Sequence, residues 1–197
     1  MIGSEVDIII GIDPGKSGAI VAVQKLSETQ FKVHSYIDIQ RVGFSINIDE
    51  LRAYLVQFDP NTTVIVSENP HTHANDGMKT FPSVFEYGKS VGIIRGLCYG
   101  IDYVTLFVAP SKWKHDLCIT SPKSTKQEKK ELAMLKALEI MDKENHNIIQ
   151  YSSRRNGISY LVNKFDRAEA FLMGVWGFNF IISKKLNENI TTNPEEE

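Results

Sequence analysis

Features that would place the chain outside the cell or in a membrane are missing from its sequence. It has 2 cysteines, Cys98 and Cys118, whose spacing suits neither a disulfide framework nor a zinc site, so we expect both to be small, buried, reduced residues. No signal-peptide pattern is visible, and no apolar run reaches the roughly 20 residues needed to cross a bilayer. These absences predict a soluble, intracellular protein without a membrane partner.

The chain also lacks a strong net charge. Its 22 lysines and arginines nearly balance 24 acids, which leaves a net charge of -2, so no overall basicity points to a nucleic-acid partner. The positive charge is local instead, because segment 110–130 carries six lysines against Asp116 and Glu128. At 197 residues and 42% hydrophobic content, the chain suits one globular domain, predicted over 1–183, with a polar, disordered tail over 184–197.

In place of these features the sequence contains an alternation of strand and helix patterns. Apolar, β-branched runs predict strands, and the first three form an antiparallel meander because only short turns separate them. This order of elements predicts an α/β fold, a mixed five-stranded sheet covered by helices. The predicted strands are 6–13, 19–25, 31–39, 64–68 and 103–108, and the predicted helices are 48–55, 82–99, 126–142 and 165–182.

Carboxylates at three places along the chain carry the strongest functional signal. Asp13 ends the first apolar strand and Glu68 ends the fourth, although a buried strand does not normally end in a charge without cause. Asp166 and Glu169 stand three apart and therefore share a helical face. If these elements meet, the acids repel one another unless cations neutralise them, and such an all-oxygen ligand set suits Mg²⁺ or Mn²⁺.

Each acid also has an ordinary structural interpretation. A single acid at a strand end is commonly a turn or cap residue, and two acids three apart on a helix commonly form a solvated face. That interpretation requires three coincidences here, because both strand-end acids follow apolar runs and the helical pair lies in an apolar helix. The acids taken together therefore favour a metal site.

Two further features leave alternatives open. Gly88, Gly92 and Gly96 fall four apart and give one helix a flat stripe, which packs either on the sheet or against a second helix in a dimer. His71 and His73 follow the second acidic strand, in a loop where they are either surface residues or metal ligands.

The acids, their order and their neighbours resemble the RuvC-like Holliday-junction resolvases of the RNase H-like superfamily, over most of residues 6–182. Segment 11–19 resembles the family's first strand and turn, and segment 67–69 its second acidic strand. Segment 88–96 is similar to its central helix, and segment 166–170 to its terminal helix. The pair Trp113-Lys114 and the segment 76–79 resemble phage-type and chloroplast resolvases more than the standard bacterial enzyme.

The chain departs from this family in two places. Glu169 stands where the bacterial enzyme has aspartate, so a metal ion or water would be held slightly differently. The connection 143–165 is longer and more polar than the family pattern.

The resemblance implies a structure-selective endonuclease that resolves four-way DNA junctions by paired, symmetric nicks. Asp13 would bridge two Mg²⁺ ions, Glu68 would hold one of them, and Asp166 with Glu169 would hold the other or orient its water, with Mn²⁺ as a substitute. Lys114 resembles the family's catalytic lysine, which offsets charge on the pentacovalent phosphate. Lys126, or failing that Lys123, would match the family's second basic position. The lysines expected to contact DNA are Lys16, Lys79, Lys112, Lys114, Lys123 and Lys126.

The implied partner is a four-way junction bound by a homodimer, because two symmetric nicks need two sites related by a two-fold axis. Recognition would depend on branched shape and on phosphates, and would therefore weaken with salt.

We expect Trp113 to pack in the core. Phe81, Phe85 and Tyr87 are core or dimer-interface residues, although an aromatic wedge at the strand exchange would suit the same pattern.

Other functions remain to be weighed against this one. A ribonuclease H would use similar acids on an RNA–DNA hybrid, and a non-catalytic junction-binding protein would keep the fold without the chemistry. The Trp113-Lys114 segment favours a resolvase over the ribonuclease, and the intact acids argue against a non-catalytic role. An actin-like phosphotransferase would need a second domain. No nucleotide cofactor is expected, because the phosphate loop that Gly15-Lys16-Ser17 suggests would require its first glycine at Ile10.

Overall fold

A computed structural model of the protein describes residues 6–15, 18–43, 45–69, 81–120, 124–155 and 158–191. The predicted strands and helices are present, with additional short elements in the connections. In chain order the elements are β1 (Ile8–Asp13), β2 (Ala19–Lys25), β3 (Phe31–Asp38), β4 (Arg41–Val42), β5 (Ser45–Ile46), α1 (Ile48–Leu55), β6 (Thr63–Glu68), α2 (Phe81–Gly100), β7 (Val104–Val108), α3 (Pro110–Asp116), α4 (Lys126–Ile140), a 3₁₀ turn (Lys143–Asn145), α5 (His146–Ile149), β8 (Gln150–Arg155), β9 (Ile158–Asn163) and α6 (Phe165–Thr191).

The main sheet has five strands in the order β3-β2-β1-β6-β7. β3, β2 and β1 form the predicted antiparallel meander, and β1, β6 and β7 run parallel. This is the mixed α/β sheet that the sequence predicts. In the parallel pairing of β1 with β6, Ile12 lies opposite Ser67. Asp13 and Glu68 are the next residues of these two strands, so they lie side by side at the same edge of the sheet.

Both faces of the sheet are buried, which is why β1 is apolar throughout rather than alternating. Ile9, Val64 and Val66 belong to the face covered by α3, α4, α5 and α6, which we call the α6 face. Ile10 and Ile65 belong to the opposite face, covered by α1 and α2. Because side chains alternate along a strand, Asp13 and Glu68 share the α6 face with Ile9 and Val64.

Two glycines bring α6 into direct contact with the sheet. A methyl group on Gly11 would collide with the carbonyl oxygen of Ala170, and one on Gly174 would lie 2.5 Å from the Val23 Cγ2 atom. The helix therefore packs backbone to backbone on β1. Since Asp13 lies two residues beyond Gly11 and Glu169 directly precedes Ala170, this contact sets the first turn of α6 over the end of β1.

The connection 143–165, which the sequence pattern leaves without elements, contains α5 and a two-stranded ribbon of β8 and β9. Strand β8 is polar apart from Tyr151, so the alternation that identifies a half-buried strand is missing from it. The short helix α3 was also unpredicted. Its Pro110 stands at the first turn, where proline is favoured, and its Trp113 is fully buried, as expected for a core residue.

The structure corrects two sequence expectations and decides one open alternative. Helix α6 continues to Thr191 rather than ending near residue 182, because no glycine or proline interrupts the helix before that point. Cys98 is buried as expected, but Cys118 is exposed, since the backbone turns there with a φ of 58° at the end of α3. The glycine stripe of α2 does not pack on the sheet, because a Cβ atom on Gly88, Gly92 or Gly96 would meet no atom of the described residues within 4 Å.

Candidate active site

The centre of the site is the carboxylate of Asp13, which is only 9% exposed. Its Oδ1 atom accepts a hydrogen bond of 3.0 Å from the backbone N–H of Gly15, within the turn that leads to β2. The pKa of Asp13 is raised from 3.8 to about 8, chiefly because burial penalises the charged form, and further because Glu169, Glu68 and Asp166 lie close by. The hydrogen bond from Gly15 opposes this rise. Asp13 is therefore an acid whose charge is poorly neutralised by the protein itself.

Glu68 lies beside Asp13 and is held from two directions. The indole N–H of Trp113 donates a hydrogen bond of 3.2 Å to its Oε1 atom, and the Tyr87 hydroxyl, from α2, donates a second. Burial raises the pKa of Glu68, while Lys114 and both hydrogen bonds lower it. Burial, together with the nearby acids, also raises the pKa of Tyr87. Tyr87 therefore keeps its proton at neutral pH and remains a donor.

The two acids of α6 are each paired with a lysine. Lys114 Nζ lies 2.6 Å from Glu169 Oε1, and Lys130 Nζ lies 3.3 Å from Asp166 Oδ1. The ammonium group of Lys114 also lies 4.8 Å from the centre of the Trp113 ring. Because α3 supplies Trp113 and Lys114 in succession, one short helix contacts both Glu68 and Glu169. The site thus combines acids from three elements with lysines from two others.

Arg167 fixes the start of α6 to its surroundings. Its Nε and Nη2 atoms donate to both oxygens of Asp38 at 2.6 and 2.7 Å, and its Nη1 atom donates to the carbonyl of Ile148 at 2.9 Å. Its guanidinium also lies 4.3 Å from the centre of the Tyr36 ring. The arginine holds the pKa of Asp38 below its usual value, mainly through this hydrogen bond. This fork joins β3, α5 and α6 next to the acids.

The carboxylate oxygens of the site suit a hard divalent cation, although lysines pair with two of the four acids in the free protein. Carboxylate oxygens are the ligands that Mg²⁺ and Mn²⁺ prefer, and the raised pKa of Asp13 marks a place where added positive charge would be favourable. Within the described ranges, no three histidine, cysteine or acidic side chains already converge as a metal cluster. Lysine ammonium groups contact Glu169 and Asp166 there instead.

The other lysines and the histidines named from the sequence lie outside the cluster of acids or outside the described residues. Lys112 is exposed and forms an ion pair of 2.7 Å with Asp116, and Lys126 is exposed at the first turn of α4. Lys126 lies one helical turn before Lys130, the lysine of α4 that reaches the acids. Lys16, Lys79, Lys123, His71 and His73 lie outside the described residues.

Sequence reasoning missed three contributors to the site: Lys130, Tyr87 and Arg167. Lys130 stands four residues after Lys126 in a lysine-rich helix, so helical spacing alone does not distinguish the two. Tyr87 was predicted as a core, dimer-interface or wedge aromatic, and no sequence pattern indicated its hydrogen bond to Glu68. Arg167 stands between the two acids of α6, and the unusual placement of a cation there was the available signal.

Comparison with known proteins shows likeness in structure only. The chain matches no protein-family model and no curated protein sequence. It is similar to T. thermophilus RuvC in complex with a Holliday junction substrate, with a TM-score of 0.56 and 11% identity, over 88% of this chain and 96% of that chain. A second Thermus thermophilus RuvC structure gives a TM-score of 0.54 and 12% identity over 88% of this chain and 96% of the other.

A third similar structure is the yeast mitochondrial Holliday junction resolvase Ydc2. The TM-score is 0.59 and the identity 15%, over 96% of this chain and 86% of that chain. In the described part of the chain, no helix is long and apolar enough to cross a membrane. The likeness over most of the chain agrees with the resemblance predicted from the acids, and it shows that the chain has the fold of the RuvC-like Holliday-junction resolvases.

Proposed function

We propose that the protein is a divalent-metal-dependent endonuclease that resolves four-way DNA junctions by paired, symmetric nicks. The observation that carries the proposal is the buried carboxylate of Asp13, with Glu68 and the acids of α6 around it and Lys114 at the same edge of a RuvC-like sheet. One of the structures with this fold is RuvC in complex with a Holliday junction substrate. A hydrolase of a polyanion needs this combination of acids and cations at one place.

The residues that would hold Mg²⁺ ions, with Mn²⁺ as a substitute, are Asp13, Glu68, Asp166 and Glu169. When bound, the ions supply an activated water nucleophile and stabilise the leaving oxygen of the phosphodiester. Trp113 and Tyr87 orient the carboxylate of Glu68 through their hydrogen bonds.

Lys114 acts on the phosphate group. In the free protein its ammonium group contacts Glu169, from which it needs only to turn to donate to a phosphate oxygen. Charge that develops on the phosphate in the transition state is stabilised most by a donor already positioned in a partly buried site. The side chain of Lys114 is 20% exposed, so it is sheltered and still reachable from solvent. Lys16, Lys79, Lys112, Lys123 and Lys126 remain proposed contacts to the DNA backbone.

The proposal includes a homodimer built on α2. Its exposed stripe consists of Phe85, Gly88, Gly92, Gly96 and Tyr99, with the two aromatic side chains 60% and 61% exposed. The stripe is symmetric about Gly92, because a glycine stands four residues away and an aromatic residue seven residues away on each side. Two antiparallel copies crossing at Gly92 would place Phe85 of one against Tyr99 of the other. Such self-complementarity is what a two-fold interface requires.

The dimer is tested with Gly92→Leu, which puts a bulky side chain at the crossing point. We expect a monomer in analytical ultracentrifugation with unchanged helix content. Glu131→Leu is the matched control, because it adds the same side chain to the exposed face of α4. A dimer that persists in Gly92→Leu would contradict this interface.

The nuclease proposal is tested by incubating the protein with Mg²⁺ and a labelled four-way junction, a linear duplex or an RNA–DNA hybrid. We expect symmetric nicks on the junction, their loss in Asp13→Asn with binding retained, and normal cleavage by the matched control Asp7→Asn, whose side chain is exposed before β1. Cleavage of the hybrid alone would move the assignment to a ribonuclease H. Tight junction binding without cleavage in Mg²⁺ or Mn²⁺ would indicate a non-catalytic binding protein.

A further inference from the structure

The ribbon of β8 and β9 extends from the protein directly beside the candidate active site. Its strands pair from Gln150 with Asn163 to Arg155 with Ile158. The base is anchored, because Ile149 is fully buried and its carbonyl accepts a hydrogen bond of 2.7 Å from the backbone N–H of Lys164. Arg167 holds the neighbouring carbonyl of Ile148. The ribbon is thus fixed to the start of α6, which carries Asp166.

The charge of this segment differs from that of the whole chain. Between Glu144 and Asp166 the sequence has no acid, but it has Arg154, Arg155 and Lys164, while the chain as a whole carries a net charge of -2. Both arginines are exposed and stand at the end of β8 away from the anchored base. A basic projection on an otherwise acidic protein indicates a polyanionic partner.

One face of the ribbon combines aromatic and basic side chains. Residues opposite each other in an antiparallel pair share a face, so Tyr160, opposite Ser153, lies on the same face as Tyr151 and Arg155. Tyr151 is 37% exposed and Tyr160 is 46% exposed. A two-stranded ribbon alone is marginally stable, and exposed aromatic side chains on it favour contact with another molecule.

We infer that this ribbon is a DNA-binding arm that lies against the duplex next to the cleaved phosphate. The inference rests on the proposed nuclease function and assigns part of its substrate recognition to residues outside the acid site. Six residues per strand at about 3.3 Å each give a projection of about 20 Å. The major groove of B-DNA, about 12 Å wide, admits a two-stranded ribbon. Arg154 and Arg155 then contact phosphates, while Tyr160 contacts a sugar or base.

The test compares three variants with the intact protein in binding to a fluorescent four-way junction, without divalent ions, over a range of salt concentrations. Arg154→Gln with Arg155→Gln removes the arginine contacts. Lys25→Gln with Arg52→Gln, two cations outside the ribbon and the acid site, is the matched control for charge. Tyr160→Ala removes the aromatic contact without changing the charge.

We expect the double arginine variant to lower the slope of log affinity against log salt by about 1.8. Taking 1 M salt as the point where these contacts no longer contribute, that slope corresponds to about thirtyfold weaker binding near 0.15 M salt. Tyr160→Ala should weaken binding equally at all salt concentrations, and the control should leave the slope unchanged.

The outcomes separate this inference from the proposed function. Symmetric junction cleavage by the intact protein, with an unchanged slope in the double arginine variant, would overturn the DNA-binding arm and leave the nuclease in place. An intact protein that neither binds nor cuts a junction would overturn both. A change in oligomeric state in the arginine or Tyr160 variants would assign the ribbon to contact between copies of the chain and would also overturn the inference.

Discussion

Replacing Asp13 by asparagine should stabilise the free protein while it removes the proposed activity. The carboxylate is 9% exposed, and its pKa is raised from 3.8 to about 8 by burial and by the neighbouring acids. Asparagine has nearly the same shape, and its Oδ1 atom still accepts the hydrogen bond from Gly15. The substitution therefore removes the cost of a buried charge and leaves the turn intact.

The size and sign of this effect follow from the two pKa values. The folded protein keeps the proton on Asp13 up to about pH 8, whereas the unfolded chain releases it near pH 3.8. The protonated carboxyl of Asp13 therefore contributes its full stability below the pKa of the unfolded chain. This contribution is lost as the pH rises through the pKa of the folded protein. At about 1.4 kcal/mol for each pKa unit, the loss across this window is on the order of 5 kcal/mol. Local relaxation reduces it, so we expect Asp13→Asn to gain at least about 2 kcal/mol near pH 8.

The assay is urea unfolding in the presence of a chelator, at several pH values between about 5 and 8.5. The intact protein should lose stability over this range relative to Asp13→Asn. Asp38→Asn is the matched control and should be less stable than the intact protein throughout this range, because Arg167 lowers the pKa of Asp38 and the ionised form stabilises the fold. Added Mg²⁺ should stabilise the intact protein and have little effect on Asp13→Asn.

Two results would refute this reasoning. One is an Asp13→Asn protein that is no more stable than the intact protein near pH 8. The other is a pH dependence of stability that is the same with and without the carboxylate at position 13. Either result would mean that water or a rearranged side chain neutralises Asp13 in the free protein.

Three other substitutions test separate parts of the structure. Lys114→Ala should reduce the single-turnover rate of junction cleavage by about 100-fold or more and leave junction affinity within a few-fold, because its donor acts on the transition state. Tyr87→Phe removes a hydrogen bond that lowers the pKa of Glu68, so the acidic limb of the pH–rate profile should move to higher pH. Gly11→Ala should cost more than about 3 kcal/mol in urea unfolding or prevent folding, because the methyl group meets the backbone of α6. Gly100→Ala, outside the proposed dimer stripe, is its control, since the added methyl group meets none of the described residues within 4 Å.

The fold was predictable because its central strands are fully buried. The central strands of the main sheet were recognised from apolar, β-branched runs, and the order of strands and helices left few alternative topologies. Asp13 and Glu68 stood out because charge ends an apolar strand for few structural reasons. The sequence therefore predicted the acids that the fold brings to one edge of the sheet.

The cationic half of the site was harder to predict, because a lysine's reach is long and its helical neighbours are similar. Whether Lys126 or Lys130 meets Asp166 depends on the angle at which α4 packs on α6, which no local pattern encodes.

The β8–β9 ribbon was missed for a different reason. Strand β8 is polar apart from Tyr151 and its side chains are largely exposed, so no period-two pattern of apolar residues marks it.

The arrangement of charges explains how the fold tolerates the buried carboxyl of Asp13, which destabilises it when ionised. Asp13 lies close to the two acids of α6, so an ionised Asp13 opposes the packing of the helix start on the sheet. The fork from Arg167 to Asp38 and the close contact at Gly11 act in the opposite direction and hold the helix in place. Arg167 lies between the acids it helps to confine, so the same turn of helix supplies both the repulsion and the restraint. The destabilising carboxylates thereby stay together in the free protein, where a cation or a phosphate with its ions can relieve them.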